Sequence, residues 1–479
     1  MEIALKKFLK IIESEERPDL KDVAGWLKEL NMDEGTWKIV SKELCKNYGF
    51  KDEAALRRSM QGSESLTTKP DDYVDDFSPL LDDIKLGGWI RDYVEHTRGM
   101  EPPTVFHFAT ALTILGASLR RNVHIDFGYF QIWPAIQSML VGPSGKTKKT
   151  TASEYGVDLA CDIKEKRLFN LLPDEGSGEA LKTELYQIGK REKASTGLLF
   201  VSEMATFIGK QEYNTNLVQT LTDLFDSRKA KRRRTGARGS EDMVDIAVSA
   251  LLCSNEDWLA DAIPASAFGG GFFGRMLVFY QPDTDRIFPQ PEMDFRERVK
   301  VQTHLKLAAQ VQGKCILTPD ASRWYDGRYR QMKKQWPKDE RIVPFWERLH
   351  IHLLRMAMLI TISDNLGQDM GGEIIHLEVP ALEKADSILG WVLKYLPKVY
   401  VHVGGTQFGA DHHRIHSIIS RHGGFLESED LGRKMSSRLS RRQLREHTET
   451  MEANGVITKV RINPWEGRYG WRVIKKLEE

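Results

Sequence analysis

Cysteine is scarce. Cys45, Cys161, Cys253 and Cys315 are the four in 479 residues. None stands in C-x-x-C spacing, which argues against a cysteine zinc site or a disulfide framework and fits a reducing, cytoplasmic compartment. Long apolar runs are missing too: the stretch from Phe106 to Leu119 is short for a bilayer and is broken by His107, Thr110 and Thr113. The first residues, Met1 to Lys7, lack the apolar segment of a secretion signal. Net charge is nearly absent as well. The chain sums to +1 at pH 7, so no overall basic field attracts nucleic acid, and any such contact has to come from local clusters. What remains is ordinary globular material, 41% hydrophobic and 29% charged, in a length that suits about three domains.

One stretch organises the rest. After the apolar run Trp133 to Met139 comes Leu140-Val141-Gly142-Pro143-Ser144-Gly145-Lys146-Thr147, opening a helix-prone segment. A strand that ends in a Gly-rich turn at a helix N-terminus aims several backbone N–H groups at one point, where the peptide dipoles also favour negative charge. Gly142, Pro143, Ser144, Gly145, Lys146 and Thr147 therefore read as a phosphate-binding loop. Lys146 is the expected phosphate ligand and Thr147 the expected Mg²⁺ ligand. Leu140 stands where the full G-x-x-x-x-G-K-[ST] pattern has its first Gly. The alternative is a tight turn with a solvated lysine.

Around this loop, Gly87–Arg98 and Pro103–Leu119 read as helices, and Val123–Phe127 and Ile132–Val141 as strands. Gly197 to Val201 is a continuous apolar run that leads into Ser202-Glu203, as a buried parallel strand does when its C-terminal end faces a nucleotide. Glu203 is the candidate general base. Ser202 takes the place of the usual metal-holding Asp, reaching a magnesium-bound water without supplying charge. A further core strand, Val244 to Cys253, ends in Ser254-Asn255. Asn255 resembles the residue that senses the γ-phosphate in AAA+ ATPases; a helix cap is the plainer alternative. Gly269 to Gly274 precedes Arg275, which a flexible loop could present to a neighbouring subunit's nucleotide, or which simply opens an edge strand.

Charge is concentrated in two places. Between Asp226 and Gly239 lie Arg228, Lys229, Lys231, Arg232, Arg233, Arg234 and Arg238, a basic insert suited to gripping a nucleic-acid backbone in a ring channel, or else a solvated face. The segment 410–479 carries 14 Lys and Arg against 10 Asp and Glu in the order helix, helix, helix, hairpin, the layout of a winged helix. Arg441, Arg442 and Arg445 open its third helix, and Lys459 and Arg461 lie on its wing. Upstream, residues 1–60 read as a small helical domain, 61–83 as an acidic linker, 84–315 as the α/β domain and 316–400 as a mostly helical lid. There Arg348 and Arg355, seven apart and so on one helix face, are candidate second sensors, with salt-bridging to the domain surface as the plainer alternative for each.

The order of phosphate loop, Ser-Glu strand end, basic insert, Ser-Asn strand end and Gly-Phe-Phe-Gly-Arg element resembles a family of phage and mobile-element P-loop proteins long known only as a domain of unknown function. Members occur with primase modules and are treated as AAA+-like helicases. The resemblance covers about residues 84–400 and includes Glu101-Pro102-Pro103-Thr104-Val105-Phe106 and Leu221-Thr222-Asp223-Leu224-Phe225-Asp226. It implies an α/β P-loop NTPase core with a helical N-terminal domain, a helical lid and a C-terminal winged helix. With these come ATP and Mg²⁺ as cofactors, assembly into a homo-oligomeric ring such as a hexamer, and single-stranded DNA in the channel with duplex at the winged helix. Primase or other replication proteins would be partners. Two rival expectations stand beside the helicase: a nucleotide-gated replication initiator with little ATP turnover, which Ser202 favours, and a small-molecule kinase, for which neither the basic insert nor a winged helix is needed.

Overall fold

A computed structural model of the chain describes residues 40–42, 44 and 46, all helical, and residues 75–474. Excepted are 164–166, 175–177, 205–206, 208–214, 232–233, 236–238, 257–258, 260–270, 368–372, 403–406, 437–438, 454 and 464–467. The expected N-terminal domain and most of the linker thus lie outside the described residues. The chain divides into Met1–Val74 and Asp75–Glu479, and the second unit carries every candidate site.

Three strands of that unit are buried almost without interruption: β3 (Gln137–Val141), β5 (Thr196–Val201) and β10 (Ala247–Ser254). Such runs suit parallel strands covered on both faces. With β4 (Leu171–Leu172) and β11 (Leu277–Tyr280) they form a parallel five-stranded sheet in the order β11-β3-β10-β5-β4. Val141 pairs with both Ser254 and Tyr280, and Val201 with Leu252. Because the strands are parallel, their C-terminal ends share one edge, and the loops after β3, β5, β10 and β11 all leave from it.

Helix α3 (Thr104–Ser118) is apolar all round, as a helix enclosed by other elements must be. Every residue from Val105 to Ser118 is buried. It packs on β3, β10 and α4 (Lys149–Cys161). The expected strand Ile132–Val141 is divided, since Pro134 has no N–H for a ladder. Gln131–Ile132 forms β2, the antiparallel edge of a second sheet. That sheet runs β13-β12-β1-β2, with β1 (Val123–Asp126), β12 (Gly313–Leu317) and β13 (Ile374–Leu377) mutually parallel.

The region 316–400 is mostly helical, as expected, and also supplies β13. Its helices α8 (Pro319–Lys334), α10 (Leu349–Asp364, after the short α9, Val343–Trp346) and α11 (Val379–His402) share one hydrophobic core with the five-stranded sheet. Part of the expected linker is ordered helix: α1 (Phe77–Ile84) follows Asp75, whose carboxylate accepts from the Phe77 and Ser78 amides. Phe77 packs on Phe108 and Trp391. The acidic composition hid the apolar spacing Phe77, Leu80, Leu81, Ile84.

The C-terminal segment has its own core, built on Ile415, Ile419, Leu431, Met435, Met451, Ile457 and Trp471. Three helices, α12 (Gln407–Arg421), α13 (Ser428–Met435) and α14 (Arg441–Ala453), accompany a sheet of order β14-β16-β15. The hairpin strands β15 (Ile457–Asn463) and β16 (Arg468–Val473) match expectation, while β14 (Phe425–Glu427) is a short strand the sequence did not reveal. Among the described residues no helix is long and apolar enough to cross a membrane. The remaining numbered elements are α2 (Gly88–His96), α5 (Gly178–Glu192), α6 (Thr215–Leu224), α7 (Phe295–Ala308) and the two-residue strands β6 (Ala230–Lys231), β7 (Arg234–Thr235), β8 (Gly239–Ser240) and β9 (Met243–Val244).

Candidate functional site

The loop after β3 leaves from the C-terminal edge of the sheet. Gly142 is required by close approach: a Cβ there would lie 2.4 Å from the Gln281 carbonyl oxygen and 2.8 Å from Thr147 Oγ1. Gly145 adopts φ +77°, and Lys148 is also left-handed at φ +47°. This kink at Lys148 delays the helix, so α4 begins at Lys149 and not directly after Lys146. Residue roles shift with it.

Lys146, expected to reach phosphate, is 60% exposed along its side chain and points to Asp283, at 3.3 Å. Thr147 is buried and its hydroxyl donates to the Pro143 carbonyl at 3.3 Å. Lys148 pairs with Glu101. Lys149, on the first turn of the helix, is 7% exposed, and its ammonium donates to the Gly142 carbonyl at 2.7 Å and the Pro143 carbonyl at 3.4 Å. Burial lowers its pKa, opposed by the negative charges of Glu203 and Glu256. Next to it, Thr150 donates its hydroxyl to the Ser202 carbonyl at 3.3 Å, joining the helix start to the end of β5.

The other predicted partners gather here. Glu203 follows β5, and its Oε1 is buried and accepts no hydrogen bond from the described residues. Asn255 follows β10; its side-chain amide donates to Ser144 Oγ at 3.3 Å, and its carbonyl accepts from the Leu259 amide. Below them, Ser153 and Cys253 lie 3.3 Å apart, and burial pushes the Cys253 thiol up to about 12, leaving it protonated and inert. The loop, Ser202, Glu203 and Asn255 are therefore brought together, with Lys149 and Thr150 as members the sequence pattern missed. A signal existed, because Lys149-Thr150 repeats the Lys-Thr pair three residues on, and only the true helix start could decide between the two.

Arg275 lies elsewhere. It precedes β11 and therefore sits at the N-terminal edge of the sheet, opposite its own chain's loop. Its guanidinium donates to the Gly271 carbonyl at 3.0 Å, and its Nε stands 3.8 Å from Asp226. Burial, and then the neighbouring Arg348, lowers its pKa. Arg355 is 3% exposed, lies 4.0 Å over the Phe225 ring and donates to the Phe225 carbonyl at 2.7 Å; burial lowers its pKa to about 9. Arg348 donates to the Pro344 carbonyl. Neither candidate second sensor approaches the loop through these contacts.

The basic insert leaves from the same N-terminal edge. Arg228 and Lys229 are exposed, Lys231 pairs with Asp223, and Arg234 is on β7; Arg232, Arg233 and Arg238 lie outside the described residues. In the C-terminal unit Arg441, Arg442, Arg445, Lys459 and Arg461 are all exposed. Arg442 and Arg445 pair with Glu446 and Glu449 one turn on, at 3.0 and 2.7 Å, and Lys459 lies 3.8 Å over the Tyr469 ring. His447 Nε2 lies 3.8 Å from Asp411 Oδ2 and its ring meets that of His412 edge-on at 5.2 Å, and no group of three or more His, Cys, Asp or Glu that could hold a metal occurs among the described residues. No protein-family model matches the chain, and no curated protein matches it significantly.

Proposed function

We propose that the chain is a P-loop ATPase of the ring-forming, AAA+-like helicase type, acting on DNA in replication. One observation carries the reading: a buried lysine on the first turn of α4 points back into a Gly-rich loop, within the field of Glu203 after β5, while Asn255 after β10 bonds Ser144 of the same loop. An ammonium held on neutral backbone carbonyls has stronger acceptors in phosphate oxygens, whose negative charge adds a direct Coulombic attraction to the hydrogen bond. Lys149 is then the phosphate ligand and Thr150 the hydroxyl beside the metal, in place of Lys146 and Thr147. Mg²⁺, when bound with ATP, supplies charge neutralisation on the phosphates. The chain's own residues do the rest. Gly142 and Gly145 let the backbone amides approach, Glu203 orients and deprotonates the attacking water, and Asn255 positions it.

Arg275, on the opposite edge, fits only a role in trans, completing a neighbour's site after release from Gly271 and Asp226. The C-terminal order helix, strand, helix, helix, hairpin supports a winged helix presenting Arg441, Arg442 and Arg445 to duplex, with Lys459 and Arg461 on the wing. Ser202 favours a second reading, a nucleotide-gated initiator with little turnover, since a hydroxyl brings no charge to the metal. Steady-state ATP hydrolysis with and without single-stranded DNA separates the two. DNA-stimulated turnover that Lys149→Ala abolishes supports the motor; nucleotide binding without turnover on any DNA supports the initiator.

A further inference from the structure

The β1–β2 hairpin displays its aromatic rings to solvent. Its turn is firmly built: the Gly128 amide donates to Asp126 Oδ1 at 2.7 Å, Gly128 takes φ +83°, and the Phe127 amide donates to the Phe130 carbonyl at 3.0 Å. At the tip Phe127, Tyr129 and Phe130 are exposed, Tyr129 completely. Single exposed apolar side chains are ordinary, but a contiguous set calls for a partner.

Here the set continues onto α8. Phe130 and Phe127 lie 5.3 Å apart, and Phe127 stacks on Tyr325 at 6.5 Å with an interplanar angle of 17°. Tyr325 meets Tyr329 one turn on, at 6.2 Å, and Lys333 lies over Tyr329 at 5.5 Å and over the exposed Trp336 at 5.8 Å. The half-buried Tyr325 and Tyr329 share a face of α8 with Lys333, and Trp336, two residues past the helix end, continues the line, so hairpin and helix make one row of rings.

Cations accompany the row. Residues 319–338 hold six Lys and Arg against two Asp. Asp320 and Asp326 are taken by Arg323 and Arg330, whereas Lys333 and Lys334 have no carboxylate partner among the described residues. The root of the basic insert is held at the other end of β1 from the ring-bearing turn: Arg121, two residues before the strand, donates to the Ser227 and Ile246 carbonyls at 3.0 and 2.8 Å and pairs with Asp245.

We propose that this row is a stacking track for single-stranded nucleic acid. Rings accept the faces of unpaired bases whatever their identity, and interleaved lysines follow the phosphates. A duplex hides its base faces, and a protein interface core is depleted in lysine, so a single strand is the occupant that fits both features. The inference rests on the nucleic-acid part of the proposed function, and its test separates the two.

The test is anisotropy of a labelled oligo(dT) against the full chain, comparing the parent with Tyr129→Ala/Phe130→Ala, Trp336→Ala and Lys333→Gln/Lys334→Gln. The altered side chains are exposed, so thermal unfolding should match the parent. Each ring variant is expected to weaken binding by about fivefold or more, and the lysine pair to reduce the salt slope by about 1.4. Quenching of tryptophan fluorescence by the oligonucleotide should shrink in Trp336→Phe. Binding by the parent that none of the variants alters would overturn the track while leaving DNA contact elsewhere. A parent that binds no single strand would overturn both, and variants that change only the sedimenting mass would make the row a subunit interface.

Discussion

At the C-terminal edge of the sheet, Lys149 is 7% exposed and its ammonium is held by two backbone carbonyls. On α14 the Arg442 side chain is 90% exposed and its guanidinium is held by Glu446. Both cations are nominated as phosphate ligands, yet their surroundings differ in kind. Burial removes water as a competitor and fixes the direction of the ammonium, so a ligand of the right shape gains the full charge-assisted bond. On the exposed helix, water, salt and a neighbouring glutamate all compete, and each contact is worth little by itself. On the proposed function, the loop after β3 is therefore a site in which one residue decides, and α14 a surface on which several add up.

The largest expected effect tests that contrast inside one loop. Lys149→Ala should lower ATP affinity by about two orders of magnitude or more and abolish turnover, since it removes charge-assisted bonds worth about 1.5–3 kcal/mol each. Lys146→Ala, which loses an exposed pair with Asp283, should change affinity by less than about threefold. Titration with a fluorescent ATP analogue measures both, and the reverse ranking would return the role to Lys146. Glu203→Gln comes next. It should keep nucleotide affinity while lowering kcat by about a hundredfold or more, the usual contribution of a positioned base; unchanged turnover would remove Glu203 from the chemistry.

Burial makes a third, smaller prediction through histidine. His107 and His352 are fully enclosed, and burial pushes each pKa down to about 3. His352 donates Nε2–H to the Gly274 carbonyl at 3.1 Å, and among the described residues its Nδ1 and both ring nitrogens of His107 have no hydrogen-bond partner. In the unfolded chain these imidazoles take a proton near pH 6.5. Between pH 6.5 and about 3 the unfolded state therefore binds more protons, and stability falls as pH falls through that window. From pH 6.5 to 5 each histidine should cost about 2 kcal/mol. His107→Phe should remove one such contribution, so its thermal midpoint should drop less than the parent's on acidification. Parallel losses would show that His107 is not kept neutral.

Much of this was legible in the sequence, for a physical reason. The strands before Gly142, Ser202 and Asn255 are buried on both faces, so their apolar runs stand out, and parallel pairing then brings their ends together. The helix start was not legible: Gly145-Lys146-Thr147 satisfies a motif, but the left-handed turn at Lys148, fixed by the tertiary fold, moves Lys149 into the loop. Arg275 followed a flexible Gly-rich stretch in sequence, yet three dimensions surround it with Gly271, Asp226 and Arg348. The row of rings could not be read either, because Phe127 and Tyr325 are far apart in the chain and meet only through pairing of β1 with β12.

The smallest effect bears on the exposed half of the comparison. If Glu446 and Glu449 occupy Arg442 and Arg445 by i,i+4 pairing, a duplex has to displace them before it can use the arginines. Each such pair is worth only about 0.3–0.5 kcal/mol, so displacement is possible but not free, and the two carboxylates also repel the approaching phosphates. Glu446→Gln/Glu449→Gln should therefore raise duplex affinity by a few fold, most strongly at low salt where exposed charges are least screened. Arg442→Ala/Arg445→Ala should lower it and reduce the salt slope by about 1.8, two phosphate contacts' worth. Should both double variants bind duplex as the parent does, α14 is not the helix that meets DNA, and the unit's exposed cations would be left with the wing residues Lys459 and Arg461 as the next pair to test.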